Sequence, residues 1–171
     1  QSAQQVLRVS MELGGNAPFI VFEDADIEQA VEGAMVAKMR NGGEACTAAN
    51  RFYVHKDVAD AFGTQLAQRM SALVVGPGYE PSTQLGPLIN QESRTKVADL
   101  VREAVERGAK VLTGGELPAG AGYYYAPTVL SNVSADAKLV REEIFGPVAP
   151  ILTFETEDEV IELDISDEAL R

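Results

Sequence analysis

The chain has 171 residues, which is long enough for one domain with a sizeable hydrophobic core. Apolar residues make up 46% and charged residues 23%, as in ordinary globular proteins, so general disorder is excluded. The net charge of -12 disfavours nucleic acid and anionic membranes as partners. With no apolar run of membrane-spanning length and a single cysteine, the sequence predicts a soluble, cytoplasmic protein.

Strands and helices alternate along the chain. Residues 8–13 alternate partly, as a strand does, and the apolar run 17–22 predicts a buried strand. Asp26 then starts a helix, with Gln29 in capping-box spacing, and this helix ends near residues 41–43. Further strands are predicted at residues 51–55, 110–113, 127–130 and 149–154, and further helices from Asp57 to Leu73 and from Asn90 to Gly108. The alternation predicts an α/β domain in which helices flank a largely parallel, twisted sheet.

The only cysteine, Cys46, follows two glycines and precedes a run of small residues that predicts the start of a helix. A lone cysteine is most often a small buried hydrophobic residue. The alternative is a nucleophile, because glycines let the backbone approach a ligand and a helix N-terminus favours a thiolate. The residues alone leave both interpretations open.

Glu12 is a second candidate, since it stands between Met11 and Leu13 in the predicted strand at residues 8–13. A glutamate at a strand edge is usually solvated. A carboxylate pressed into apolar surroundings would instead suit a general base that works near neutral pH. Both interpretations of Glu12 have similar weight.

The remaining polar residues give weaker signals. His55 is expected to be a surface histidine, and Asn16 and Glu44 are expected to be turn and surface residues. No group of histidine, cysteine and acidic residues has the spacing of metal ligands, so no metal site is predicted. No G-x-G-x-x-G or P-loop pattern is present, so the chain has no nucleotide-phosphate loop of its own.

Residues 142–147 form a third unusual segment, in which two acids precede an aromatic residue and a Gly-Pro turn. One interpretation is a polar loop with a single packed side chain, Phe145. In the other, a carboxylate of this segment binds sugar hydroxyls while the aromatic ring stacks beside them.

Taken together, these segments resemble the catalytic domain of the aldehyde dehydrogenase superfamily. Residues 11–15 match its glutamate motif, residues 41–46 match its cysteine motif, and residues 142–147 match the segment that contacts the nicotinamide riboside. The cysteine follows the glutamate of the first motif by 34 residues, and Glu143 follows the cysteine by 97, as in the family. The resemblance covers roughly residues 5–160.

The resemblance implies a role for each candidate. Cys46 would attack an aldehyde and form a thioester, and Glu12 would activate the water that hydrolyses it. Leu13, Glu143 and Phe145 would contact the nicotinamide end of NAD or NADP, most of which a separate dinucleotide-binding domain would hold.

Residues 16–22 and 38–41 further resemble the succinate-semialdehyde dehydrogenase branch of this family. Arg40, six residues before the cysteine, has the position of an arginine that binds the distal carboxylate of the substrate in that branch. A guanidinium suits that role because it can pair a carboxylate through two hydrogen bonds. The alternative is an arginine that is favourable at a helix end.

Two departures from the family matter. Several enzymes of this branch have a second cysteine two residues after the nucleophile, where this chain has Ala48, so a regulatory disulfide of that kind is excluded. Family members are also nearly three times as long. We therefore expect residues 1–160 to be part of a catalytic domain that is truncated at both ends, and residues 161–171 to be an acidic tail unlike the family.

The truncation bears on function. The parent protein is expected to oxidise an aldehyde, with succinate semialdehyde as the implied substrate, and to form a homo-oligomer. The isolated chain is expected to be inactive. Alternatives are an aldehyde dehydrogenase for another substrate class, an isolated domain with esterase activity, or a non-catalytic domain.

Overall fold

A computed structural model of the chain describes residues 4, 6 and 8–165. Its strands are β1 (Ala17–Val21), β2 (Ala49–His55), β3 (Lys110–Thr113), β4 (Thr128–Ser131) and β5 (Val148–Phe154). They form one sheet in the order β1-β2-β5-β4-β3, in which only the β3–β4 pair is antiparallel. The helices are α1 (Ile27–Met39), α2 (Lys56–Ser71), α3 (Gln91–Glu106), α4 (Lys138–Arg141) and α5 (Glu157–Ile165). The predicted α/β fold with a largely parallel sheet is confirmed.

Hydrophobic clusters lie on both faces of the sheet, and β2 shows how they are divided. Phe52 and Val54 pack in one cluster with α1 and α2, whereas Tyr53 packs in the other with α3. This division follows from the alternation of side chains along a strand. Within the described residues, no helix has the length and apolar character needed to cross a membrane.

Side-chain caps fix where the helices begin. The Asp26 carboxylate accepts a hydrogen bond from the Gln29 N–H at 3.1 Å, and the Asn90 side chain caps α3 in the same way. The predicted cap of α2 at Asp57 is wrong, because His55 is the cap and its Nδ1 accepts from the Asp57 N–H at 3.4 Å. His55 is also buried rather than on the surface, with Nε2 3.1 Å from the carbonyl oxygen of Glu155.

The strand predicted at residues 8–13 is absent from the described structure, where residues 8–16 are irregular and mostly exposed. β1 begins only at Ala17, after the two glycines, where the chain comes alongside β2. The partial alternation of residues 8–13 was misleading because a strand needs a neighbour to pair with.

At the other end of the chain, α5 continues across the boundary predicted between residues 160 and 161. It is tied to β2, since Arg51 pairs with Asp164 at 2.8 Å and the Tyr53 hydroxyl donates to the Leu163 carbonyl oxygen. The predicted division into a catalytic domain and an acidic tail stays a prediction, and residues 166–171 lie outside the described residues.

Candidate active site

The three motifs meet at one edge of the sheet. Residues 11–15 come just before β1, residues 41–46 shortly before β2, and residues 142–147 just before β5. These three strands are adjacent and parallel, so their amino ends lie side by side. The sheet topology therefore brings together segments that are far apart in the sequence.

Gly14 and Gly15 allow close packing of all three segments. The Gly15 N–H donates to Oε1 of Glu143 at 2.7 Å. A Cβ on Gly14 would lie 3.0 Å from Oε2 of Glu143, and a Cβ on Gly15 would lie 3.0 Å from the carbonyl oxygen of Cys46. The first motif thus contacts the second and the third through backbone that has no room for side chains.

The second and third motifs also contact each other directly. Asn41, Gly42 and Gly43 have φ values of 52°, 64° and 78°, a left-handed run that reverses the chain after α1. Asparagine and glycine are the residues that tolerate this conformation best. A Cβ on Gly43 would overlap the carbonyl oxygen of Gly146, so the two loops touch backbone to backbone at this point.

Cys46 lies on an exposed turn, which the hydrogen bond from the Ala48 N–H to the Ala45 carbonyl oxygen closes at 3.0 Å. The burial interpretation is wrong, because the residue is exposed. The predicted helix start is also wrong, since Ala49 begins β2 and pairs with β1. Of the small residues after Cys46, Ala48 and Ala49 are buried, which explains their size without a helix start.

Glu12 and Leu13 lie in the irregular segment before β1, and both are exposed, Leu13 by 67%. Glu12 is therefore not held in an apolar strand in the described structure. Its position two residues before Gly14 keeps it at the edge of the sheet where the motifs meet. The roles predicted for Glu12 and Leu13 stay predictions.

Arg40 lies in the wall of a small pocket beside the cysteine turn. The pocket has a volume of about 140 Å³, and its lining includes Arg40, Ala45 and Thr47, the last two being the neighbours of Cys46 in sequence. Arg40 is exposed, and its guanidinium forms no ion pair with any described residue. An unpaired guanidinium in the wall of a pocket that also contains the neighbours of Cys46 is suited to an anionic ligand. A larger groove of about 690 Å³ runs between α3 and α4 but contacts the motifs only at Glu142, so its size does not mark it as the site.

In the third motif, the groups that could meet a cofactor are the Glu143 carboxylate and the Phe145 ring. The carbonyl oxygen of Glu143 accepts from the Lys96 amine at 2.6 Å, while its carboxylate is held by the Gly15 N–H. Phe145 has a φ of 53° and is 39% exposed. A left-handed conformation is unusual for a bulky residue, and such strain is concentrated at functional sites.

Lys38 and Asn50 were not predicted from the sequence. Lys38 is 0% exposed, and its amine donates to the side-chain oxygen of Asn50, itself 1% exposed, at 2.7 Å. Burial lowers the pKa of the Lys38 amine to about 7. A signal was present, because Lys38 follows Val31 and Ala34 at helical spacing on the buried face of α1.

Asn16 and Arg51 are also structural parts of the site. Asn16 was expected to be a turn residue at the surface, but it is half-buried and its amide donates to the Val140 carbonyl oxygen at 2.5 Å. Arg51 donates through Nε to the Asn16 carbonyl oxygen at 2.7 Å. Asn16 therefore links the segment before β1 to β2 and to α4, the helix that precedes the third motif.

Among the described residues, no three or more histidine, cysteine and acidic side chains are placed to hold a metal ion. The candidate groups at this edge are thus a thiol, carboxylates, a guanidinium and backbone N–H groups. Such a set is suited to covalent catalysis on a carbonyl carbon.

Comparison with known proteins agrees with this chemistry. The sequence model described as "Aldehyde dehydrogenase family" matches residues 1–166. The chain is 56% identical over 162 residues to a succinate-semialdehyde dehydrogenase of Paenarthrobacter nicotinovorans, covering 95% of this chain and 36% of that protein. It is 48% identical over 163 residues to a 3-sulfolactaldehyde dehydrogenase of Pseudomonas putida, covering 95% of this chain and 34% of that protein.

A crystal structure of succinate-semialdehyde dehydrogenase from Burkholderia pseudomallei has the same fold, with a TM-score of 0.91 and 46% sequence identity. The match covers 96% of this chain and 34% of that one. The chain thus spans about a third of the length of the curated relatives it matches.

Proposed function

Because the chain belongs to the aldehyde dehydrogenase family, we propose that it carries the nucleophile and the general base of an NAD- or NADP-dependent aldehyde dehydrogenase. One observation carries this proposal: Cys46 is exposed on a turn where all three motifs meet, next to a pocket walled by Arg40. The activity is proposed for a protein of the relatives' length that contains this chain.

In the proposed reaction, the Cys46 thiolate forms a bond to the aldehyde carbon, and the carbonyl oxygen becomes an oxyanion. The backbone N–H of Cys46 donates to that oxyanion. A bound nicotinamide cofactor would supply the hydride acceptor. Loss of hydride from the former aldehyde carbon then converts the adduct on Cys46 into a thioester. Glu12 then takes a proton from water, the hydroxide adds to the thioester carbon, and the C–S bond breaks to release the acid and the thiolate.

The third motif fits the cofactor role. The Gly15 N–H orients the Glu143 carboxylate through Oε1, and Oε2 accepts no hydrogen bond from the described residues, so it can accept one from a ribose hydroxyl. The exposed ring of Phe145 and the exposed side chain of Leu13 offer apolar surface to the nicotinamide end. These residues do not distinguish NAD from NADP.

For the substrate, we propose an aldehyde with an anionic group at its far end, and succinate semialdehyde, which is oxidised to succinate, as the first choice. The Arg40 guanidinium would pair with the distal anion while the aldehyde carbon meets Cys46. The names of the two relatives support this class, because succinate semialdehyde carries a carboxylate and 3-sulfolactaldehyde a sulfonate.

The substitution Arg40→Leu tests the substrate class in a protein of the relatives' length. A hydrogen bond to a charged group is worth about 1.5–3 kcal/mol, so kcat/KM for succinate semialdehyde should fall about 10- to 100-fold. The value for butanal, which lacks the distal anion, should stay within about twofold. Arg69→Leu, an exposed arginine on α2, is the control. Equal losses for both aldehydes would rule out the pairing.

The nucleophile is tested on the 171-residue chain. Thiol, base and water need no cofactor, so an esterase activity is a second candidate function, favoured by the exposure of Cys46. We expect a burst of p-nitrophenol from p-nitrophenyl acetate, abolished in Cys46→Ala, and little or no reduction of NAD or NADP with succinate semialdehyde. Absence of the burst would count against the esterase, and robust cofactor reduction would show that the isolated chain is a complete catalyst.

A cytoplasmic location and a homo-oligomer are part of the proposal. The lone cysteine supports the first only through the reducing environment that unpaired thiols favour. The homo-oligomer is tested by light scattering after size-exclusion chromatography of a protein that is as long as these relatives. A monomer at micromolar concentration would refute it.

A further inference from the structure

The buried Lys38–Asn50 pair takes no part in the proposed chemistry, yet it joins the two ends of the segment that carries it. Lys38 lies in the last turn of α1 and Asn50 lies in β2, and both are fully buried. Between them the chain contains Arg40, the left-handed run and Cys46. The 2.7 Å hydrogen bond therefore closes the loop that holds both the guanidinium and the thiol.

The lysine side chain also supports the middle of this loop. A Cβ on Gly43 would lie 3.3 Å from Cε of Lys38, so the lysine side chain packs closely against the glycine. The carbonyl oxygen of Gly146 lies against the same Cβ position, so Lys38 and Gly146 both pack closely on Gly43. Lys38 thus supports the loop at the point where the second motif packs on the third.

An apolar residue would fill this position at lower cost, because burying an amine away from water is unfavourable. The neighbouring positions on this face of α1, Val31 and Ala34, are apolar. Unlike them, a lysine amine offers a directional hydrogen bond, and buried polar pairs can select one geometry among several. The loss of its charge near pH 7 reduces the cost of holding this amine there.

We propose that Lys38 and Asn50 are positioning residues whose hydrogen bond sets the separation between the Arg40 guanidinium and the Cys46 sulfur. If so, the pair fixes how far an anionic group can lie from the carbon that reacts with the thiol. The consequence for substrate length rests on the proposed function, but the separation itself can be measured without substrate or cofactor.

The test uses the 171-residue chain, in which Cys46 is the only thiol. Iodoacetate and iodoacetamide have the same reactive carbon, but only iodoacetate carries a carboxylate. The ratio of their alkylation rate constants, measured by intact mass, reports positive charge near Cys46. A merely structural role for Lys38 would change both rates together and leave the ratio unchanged. At pH 9 the Lys38 amine is neutral, so its removal has no direct electrostatic effect.

We expect Arg40→Leu to lower the iodoacetate-to-iodoacetamide ratio about fivefold, the factor for a unit charge about 4 Å away in water. Lys38→Met and Asn50→Ala, which break the buried hydrogen bond and keep Arg40, should each lower it at least twofold. Arg69→Leu should leave it unchanged. Far-UV circular dichroism identifies any variant that fails to fold, and the two positions give independent readings of the same bond.

If Arg40→Leu lowers the ratio but Lys38→Met or Asn50→Ala, whichever folds, keeps the wild-type value, the positioning role is wrong and the role of Arg40 stands. If Arg40→Leu itself has no effect, Arg40 is not near the thiol, and the proposed substrate contact fails together with the positioning role.

Discussion

The burial of Lys38 leads to a quantitative prediction about how the free energy of unfolding depends on pH. Burial lowers the pKa of Lys38 from its ordinary value of 10.5 to about 7. Below pH 7 both the folded and the unfolded chain hold the proton, and the folded chain bears the full cost of a buried ammonium, about 5 kcal/mol. Between pH 7 and 10.5 the unfolded chain binds more protons than the folded chain. The free energy of unfolding therefore rises with pH in this window, and the cost disappears above 10.5.

Lys38→Met removes this dependence while nearly conserving the side-chain volume. The difference in free energy of unfolding between this variant and the wild type should change by about 1.4 kcal/mol for each pH unit within the window. From pH 7 to pH 9 it should move by about 2 kcal/mol in favour of the wild type, because the buried amine loses its charge; this is less than two full steps of 1.4 kcal/mol, since the folded amine is already half deprotonated at pH 7.

Urea unfolding at constant ionic strength, followed by circular dichroism at pH 6, 7, 8 and 9, measures this difference. Lys110→Met, at an exposed lysine on β3, is the matched control and should differ from the wild type by the same amount at every pH. If the difference in free energy of unfolding between Lys38→Met and the wild type were also the same at every pH, the reasoning would be refuted. Folding would then not change the proton affinity of Lys38.

Three further predictions concern the packing of the motifs. Gly43→Ala should destabilise the fold by at least about 2 kcal/mol, because the residue has a left-handed backbone and its new Cβ would overlap Gly146. Gly78→Ala is the control and should have little effect, since no atom lies within 4 Å of its new Cβ. Thermal melts of both variants check this. Asn16→Ala leaves the Val140 carbonyl oxygen without its partner and should cost about 1–3 kcal/mol in urea unfolding; a cost near zero would mean that water replaces the amide. Glu143→Gln, in a protein of the relatives' length, should raise KM for the cofactor about tenfold with little change in KM for the aldehyde; the reverse pattern would exclude a cofactor role.

The local elements were predictable because their signals are local. Asp26 and Asn90 start their helices as their side chains indicate, and the apolar run before Asp26 became β1. The strand predicted at residues 8–13 was wrong because its formation depends on a partner elsewhere in the fold. Partial alternation can indicate a strand, but only a neighbouring strand can make one, and none pairs with this segment in the described structure.

Long-range contacts account for what the sequence could not show in the site. The spacing of the motifs matches the family, but nothing local indicates that β5 lies beside β2, with Phe52 opposite Ile151. The contacts of Gly15 with Glu143 and of Gly43 with Gly146 depend on that pairing. Lys38 could have been noticed on the buried face of α1, but its partner Asn50 lies in another element and only the fold brings them together.

The position of the site at the amino ends of the strands has an electrostatic consequence. α1 connects the parallel strands β1 and β2 and therefore runs back toward this edge, so that its carboxyl end, not its amino end, faces the motifs. A helix carboxyl end is the negative pole of the macrodipole and does not favour a thiolate. Cys46 is followed by β2, so the helix start that was expected after it is absent from the described structure.

Arg40 resolves this conflict, because it is the residue that ends α1. Its charge is favourable at the negative pole of the helix, and it lies in the wall of the pocket beside Cys46. The two interpretations of Arg40, a helix-end cation and a binding group for an anion, are therefore compatible. The helix end thus holds in place the positive charge that pairs with the distal anion of the proposed substrate, so we infer that Arg40→Leu weakens the reaction of anionic aldehydes and spares that of uncharged ones.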